Sequence, residues 1–178
     1  ISVTPASQTN VSCFGGSNGA ASINTPTGGA GGFTYNWTPG NPTGDGTTSV
    51  TGLTAGTWIC TVTDANSCTA TQSFTVTQAT AISVTPASQT NVSCFGGSNG
   101  AASITTPTGG AGGFTYNWTP GNPTGDGTTS VTGLTAGTWI CTVTDANSCT
   151  ATQSFTVTQP TAISVTPASQ TNVSCFGG

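Results

Sequence analysis

Few side chains in this sequence could do chemistry. It has seven cysteines and four acids, and no Lys, Arg, His, Glu or Met. General acid–base and nucleophilic catalysis need a poised pair, usually built with His, Lys or close carboxylates. Ser and Thr abound, but nothing stands by to activate them, and Asp45 and Asp64 fall on separate predicted turns, as do Asp126 and Asp145. No catalytic residue is expected and the chain reads as a non-enzyme. A calcium site gathers several carboxylates and carbonyls, whereas here no D-x-D cluster occurs; each Asp instead suits an Asx turn that bonds its own backbone. Tetrahedral zinc at Cys13, Cys60 and Cys68 would lack both C-x-x-C spacing and a fourth ligand. "GGAGG" (28–32) lacks the Lys-Ser/Thr and helix of a phosphate loop. No metal and no cofactor is expected. The sequons at Asn10 and Asn36 are formal glycosylation matches only. What remains for the cysteines is disulfide formation and core filling.

The elements that position them repeat. Ile1, Ile82 and Ile163 each open "ISVTPASQTNVSCFGG", a period of 81 residues. The chain divides into units 1–81 and 82–162 and the truncated start of a third at 163–178. The two complete units differ only at Asn24 against Thr105 and Ala79 against Pro160. With no initiating Met and no apolar leader segment, the sequence reads as an internal window of a longer array. Cys175 aligns with Cys13 and Cys94, so the odd cysteine count implies no reactive thiol.

Within a unit, apolar residues alternate at strand spacing. "FTYNWT" (33–38) sets Phe33, Tyr35 and Trp37 on one face, and "TWICTVT" (57–63) does the same with Trp58, Cys60 and Val62. "ATQSFTVT" (70–77) turns Phe74 and Val76 inward. Shorter candidate strands are "ISVT" (1–4), "AASIN" (20–24) and "TTSVT" (47–51), separated by Gly-, Pro- and Asn-rich turns. No stretch has a helical period. The reading is all-β: tandem immunoglobulin-like β-sandwiches of six or seven strands per repeat. In "GLTAGTW" (52–58) a Leu, a Gly turn and an aromatic lead into a strand, much as immunoglobulin-like domains enter strand F. Tyr35, Trp37, Trp58, Tyr116, Trp118 and Trp139 are assigned to the core. Cys60 and Cys141 share the inward faces of their strands and read as buried thiols.

The order "NVSCFGGSNGAASI", "GGFTYNW", "VTGLTAGTWICTVTDANSCT" resembles the SprB repeat of giant surface adhesins in gliding Bacteroidota. The resemblance covers about two thirds of each unit. It implies secretion by the type IX system, display on the outer surface, and service as filaments in adhesion or gliding. The chain departs from it where Cys60 replaces an aliphatic residue and Ser67 replaces the Gly before the second Cys.

Spacing leaves three disulfide pairings open within a unit. Strands running in simple up-and-down order would bring the turns holding Cys13 and Cys68 to one end. The resemblance implies the same choice, since its two recurrent cysteines match these positions. The expected bridges are therefore Cys13–Cys68 and Cys94–Cys149, with an inter-unit Cys68–Cys94 bridge as the rival.

Composition excludes other classes. A net charge of −4 without a cation cannot displace counterions from phosphate, so no nucleic acid is expected. No apolar run is long enough to span a membrane, so no membrane insertion is expected. Cysteine usage suits an oxidising, extracellular location, and the resemblance implies a bacterial cell surface. The reading is a stalk or filament region of a secreted adhesin, its partners being neighbouring repeats of the same chain and other copies in a filament or bundle. Two rivals stand beside it. One is a carbohydrate-binding array whose exposed aromatics grip a surface polysaccharide by avidity. The other is a subunit that polymerises non-covalently, with a strand of one chain completing its neighbour.

Overall fold

Alternating side chains bury one face of each long strand, and two such faces close on each other in every unit. The computed structural model describes residues 1–172, in which each unit holds six strands and no helix. In the first unit these are β1 (Pro5–Thr9), β2 (Gly19–Ile23), β3 (Thr34–Thr38), β4 (Ser49–Leu53), β5 (Gly56–Thr63) and β6 (Thr69–Val76). In the second they are β7 (Pro86–Thr90), β8 (Gly100–Ile104), β9 (Thr115–Thr119), β10 (Ser130–Leu134), β11 (Gly137–Thr144) and β12 (Thr150–Val157). The third partial copy has no strand among its described residues.

Each unit is a pair of three-stranded antiparallel sheets, ordered β1-β2-β4 and β3-β5-β6, with β7-β8-β10 and β9-β11-β12 repeating them. In the lettering of an immunoglobulin domain these orders are A-B-E and C-F-G, with strand D missing. Where D would lie, "PGNPTGDG" forms a loop whose one ladder pairing is an isolated Thr43–Thr51 bridge to β4.

Trp37 opposes Cys60 and Trp58 opposes Phe74 in register. Trp37, Val50, Leu53, Cys60 and Val62 are wholly buried, and Trp37 packs on Phe74 across 5.6 Å between ring centroids. Both indoles are satisfied: Trp37 Nε1 donates to Thr47 O at 2.9 Å and Trp58 Nε1 to Thr54 O at 3.0 Å. The second bond does the work of the tyrosine corner, with Trp in place of Tyr. Trp118 and Trp139 repeat this, while Tyr35 and Tyr116 are only half-buried. Gly19 lies so close to the sheet end that a Cβ there would sit 2.8 Å from Leu53 O and 2.9 Å from Val76 Cγ1.

The first strand differs from the expectation. "ISVT" forms no strand, making an isolated Ser2–Thr27 bridge and packing Ile1 and Val3 on the core, and the strand proper is "PASQT" at Pro5–Thr9, exposed at every residue. An edge strand with neither face buried carries no alternation, and Pro is tolerated at its first position because no N–H is needed there.

Strand direction decides where the turns go. β1 and β6 run parallel: Val11 bridges Gln78, its N–H donating to Thr77 O at 2.9 Å, and Gln8 Nε2 donates to Thr75 O at 2.8 Å. Because β1 opposes β2, β2 opposes β4, and β3 and β6 both oppose β5, β3 and β4 must run the same way. The missing strand D breaks the up-and-down alternation. The turn after β1, with Cys13, therefore lies at the downstream end of the unit, where β6 finishes. Cys68, just before β6, lies at the upstream end, about 25 Å away over eight strand residues.

Candidate functional site at the joint between units

The downstream end of the first unit is built by "NVSCFGG". Asn18 holds this turn, its Oδ1 accepting from Ser12 N–H at 3.0 Å and its Nδ2 donating to Ser12 Oγ at 2.6 Å. Gly15, at φ 72°, donates its N–H to Gln78 Oε1 at 2.7 Å, which fastens the turn to the start of the linker. Asn10 is occupied as well, its Oδ1 accepting from Thr77 N–H at 3.0 Å.

The upstream end of the second unit is built by "DANSC". Asp145 Oδ1 accepts from the N–H groups of Asn147 and Cys149, both at 2.9 Å, and Oδ2 reaches the preceding loop to accept from Ala111 N–H at 2.8 Å. Asp64 does the same with Asn66, Cys68 and Ala30. The bond from Ala30, then those from Cys68 and Asn66, hold the Asp64 carboxyl below the usual carboxylate range against the opposing effect of burial; Ala111, Cys149 and Asn147 do so for Asp145. Ser67 and Ser148 sit at φ 65° and 63°, in the left-handed region that glycine favours. Gly110 packs under the carboxylate: a Cβ there would stand 2.7 Å from Asp145 Oδ2 and 2.8 Å from Ile82 Cγ1.

These two ends meet. Cys13 is bonded to Cys149, with Cα atoms 5.6 Å apart and a sequence separation of 136. Asn147 Nδ2 donates to Ser12 O at 3.2 Å, and Gly110 N–H donates to Thr80 O of the linker at 3.0 Å. Together they enclose a cleft of about 350 Å³ lined by Cys13, Phe14, the linker Ala79–Ile82, Asp145 and Cys149.

The expected pairings Cys13–Cys68 and Cys94–Cys149 are thereby corrected, since within one unit the two cysteines occupy opposite ends. The rival Cys68–Cys94 bridge does not form either; both residues are free and exposed. Cys60 and Cys141 are free and wholly buried, and burial followed by the charge of Asp45 or Asp126 pushes their thiols up to about 11. Cys175 lies outside the described residues. Asp45 Oδ1 accepts from Trp37 N–H at 2.7 Å and from Gly46 N–H at 2.9 Å, so it clamps its turn to β3. Among the described residues no group of three or more His, Cys, Asp or Glu gathers to hold a metal. Nor, among the described residues, is any helix long and apolar enough to cross a membrane. Sequence reading missed Phe14 and Phe95, which stand 61% and 60% exposed beside Cys13 and Cys94. A lone aromatic between Cys and Gly-Gly carries no periodic signal.

The SprB repeat family matches at residues 6–42 and 87–123, about the first half of each unit. No match is found among curated protein sequences. Among solved structures, the chain is similar to a C-terminal fragment of intimin solved with the intimin-binding domain of its translocated receptor (TM-score 0.44, 16% identity, 89% of this chain and 64% of that one). It is also similar to extracellular domains 3–5 of Drosophila OTK (0.40, 10%, 90% and 62%) and to the amphioxus IgVJ-C2 molecule (0.33, 16%, 80% and 97%). The chain spans a little less than two thirds of the first two. The SprB repeat model thus matches twice in tandem, once within each sandwich.

Proposed function

We propose that the chain is a stretch of the stalk of a secreted bacterial surface adhesin, holding a terminal binding region away from the cell for attachment. The observation that carries this reading is the joint. A covalent bridge and two hydrogen bonds tie the downstream end of one sandwich to the upstream end of the next, so a series of units keeps a set reach instead of coiling up. The disulfide fits an oxidising compartment. The SprB match favours display on the outer surface, with type IX secretion and a part in gliding as finer expectations of that family. The polysaccharide-array reading loses support because the indoles of Trp37, Trp58, Trp118 and Trp139 are buried and bonded, so none of the four tryptophans offers a stacking face. The test is immunogold labelling of intact source cells with an antibody to one unit. Label on fibres outside the envelope is expected. Label that appears only after permeabilisation would overturn the proposal.

A further inference from the structure

The buried tryptophans are closed to any ligand, but one aromatic at the joint is open. Phe14 stands 61% exposed although the second unit is bonded to its neighbour Cys13. The contact between units thus leaves most of this ring in water, where a large apolar side chain gains nothing by itself. Phe14 lines the cleft of about 350 Å³ between the units, and Asp145, Ser148 and Thr150 line it too. One aromatic face and a few convergent polar groups in a concave site are the make-up of a ligand pocket.

Ser148 is unusual in its backbone as well. It is held at φ 63°, where glycine is at ease and a side chain is strained. Its N–H donates to Asp145 O at 3.0 Å, so the turn itself needs no hydroxyl there. The exposed Ser148 side chain lines the cleft instead. Strain retained at the wall of a cleft points to a use for the group that causes it.

The walls are fixed before any ligand arrives. The disulfide closes one side, and Gly110 N–H donates to Thr80 O at 3.0 Å to pin the linker. The linker runs so close to the next loop that a Cβ on Gly109 would collide with Ala81 O. Asp145 Oδ1 accepts two N–H bonds and Oδ2 only one, from Ala111, so Oδ2 keeps a free lone pair for a donor. A preformed site spares a ligand most of the ordering cost.

The chemistry selects the ligand class. With no Lys, Arg or His in the chain, nothing can neutralise a phosphate, a sulfate or an acidic sugar. A neutral pyranose suits the site: its C–H face is attracted to the negative face of an aromatic ring, and its hydroxyls both donate and accept. In β-linked glucose every ring substituent is equatorial, so both faces of the ring present only C–H. We propose that the joint binds a neutral β-linked glucan, one ring stacking on Phe14 while its hydroxyls donate to Asp145 Oδ2 and bond the Ser148 hydroxyl. Each joint of a tandem array would offer the same weak site, and the array gains by avidity. The proposal needs the joint and not the stalk reading, and its test uses purified protein, so the two can fail separately.

The experiment runs the full chain, unreduced, on native gels cast with and without a soluble mixed-linkage β-glucan. A net charge of −4 draws the chain to the anode, and retardation reads binding. The β-glucan should retard it, and the anionic polysaccharide alginate should not. Phe14→Ala should weaken binding about fivefold with thermal unfolding unchanged, and Phe14→Tyr should preserve binding. Ser148→Gly should weaken binding about threefold while unfolding at a higher temperature, a divergence that a purely structural serine would not produce. No retardation by β-glucan, equal retardation of Phe14→Ala and the unaltered chain, or equal retardation by alginate would overturn the proposal.

Discussion

Pulled from its two ends under oxidising conditions, this chain should leave most of its length unextended. The Cys13–Cys149 bridge spans 136 residues and replaces them with a gap of 5.6 Å between Cα atoms. At about 3.5 Å per extended residue, roughly 480 Å of contour is locked behind one bond. Only the segments outside the loop can extend, about 40 residues or roughly 140 Å. Both cores, from Val11 to Val76 and from Val92 to Val157, lie almost wholly within the locked loop. Single-molecule force spectroscopy reads this directly, with and without dithiothreitol. The reduced chain should show two unfolding steps, one per sandwich, that the oxidised chain lacks. On chain entropy alone, closing so long a loop should also stabilise the pair of units by about 5 kcal/mol against the reduced state. Bridges within units would behave differently: each would hide about 55 residues, roughly 190 Å, and leave two partial steps in the oxidised chain. Two such steps, or traces that reduction does not alter, would refute the reasoning.

Ser67→Gly and Ser148→Gly relieve a left-handed backbone at φ 65° and 63°, and each should raise stability by about 0.5–1 kcal/mol, seen as a few degrees in thermal unfolding. Asp64 and Asp145 have folded-state pKa values below their unfolded ones, so the stability they contribute is present above the unfolded carboxyl pKa and is lost as pH falls through the folded value. Denaturant midpoints should accordingly decline on acidification below about pH 4, and less steeply in an Asp64→Asn, Asp145→Asn double variant. With thiols pushed up to about 11 and no exposure, Cys60 and Cys141 should resist iodoacetamide at pH 8 until the chain is unfolded, while Cys68 and Cys94 react in the native state; mass spectrometry counts the labels.

The strands that bury a face were legible from sequence because burial leaves a local mark. Trp58, Cys60 and Val62 occupy alternate positions of β5, and that spacing alone assigns them to one side. The turn at 52–58 was legible for a similar reason, as a Gly-bearing corner that must lead an aromatic into the next strand. β1 left no such mark, since "PASQT" is exposed on both faces and is a strand only because β2 lies beside it. The half-burial of Tyr35 and the exposure of Phe14 likewise depend on what packs above them.

The period of 81 residues, the two-unit organisation and the all-β class follow from the order and kinds of residues. Which cysteine meets which does not. That depends on the direction of every strand between them, and the return of the chain between β3 and β4, made by a loop, reverses the outcome by sending Cys13 and Cys68 to opposite ends. The same reversal brings Cys13 against Cys149, because in a tandem array the downstream end of one unit faces the upstream end of the next. Pairing sums many non-local choices of direction, and only the folded sheets make them.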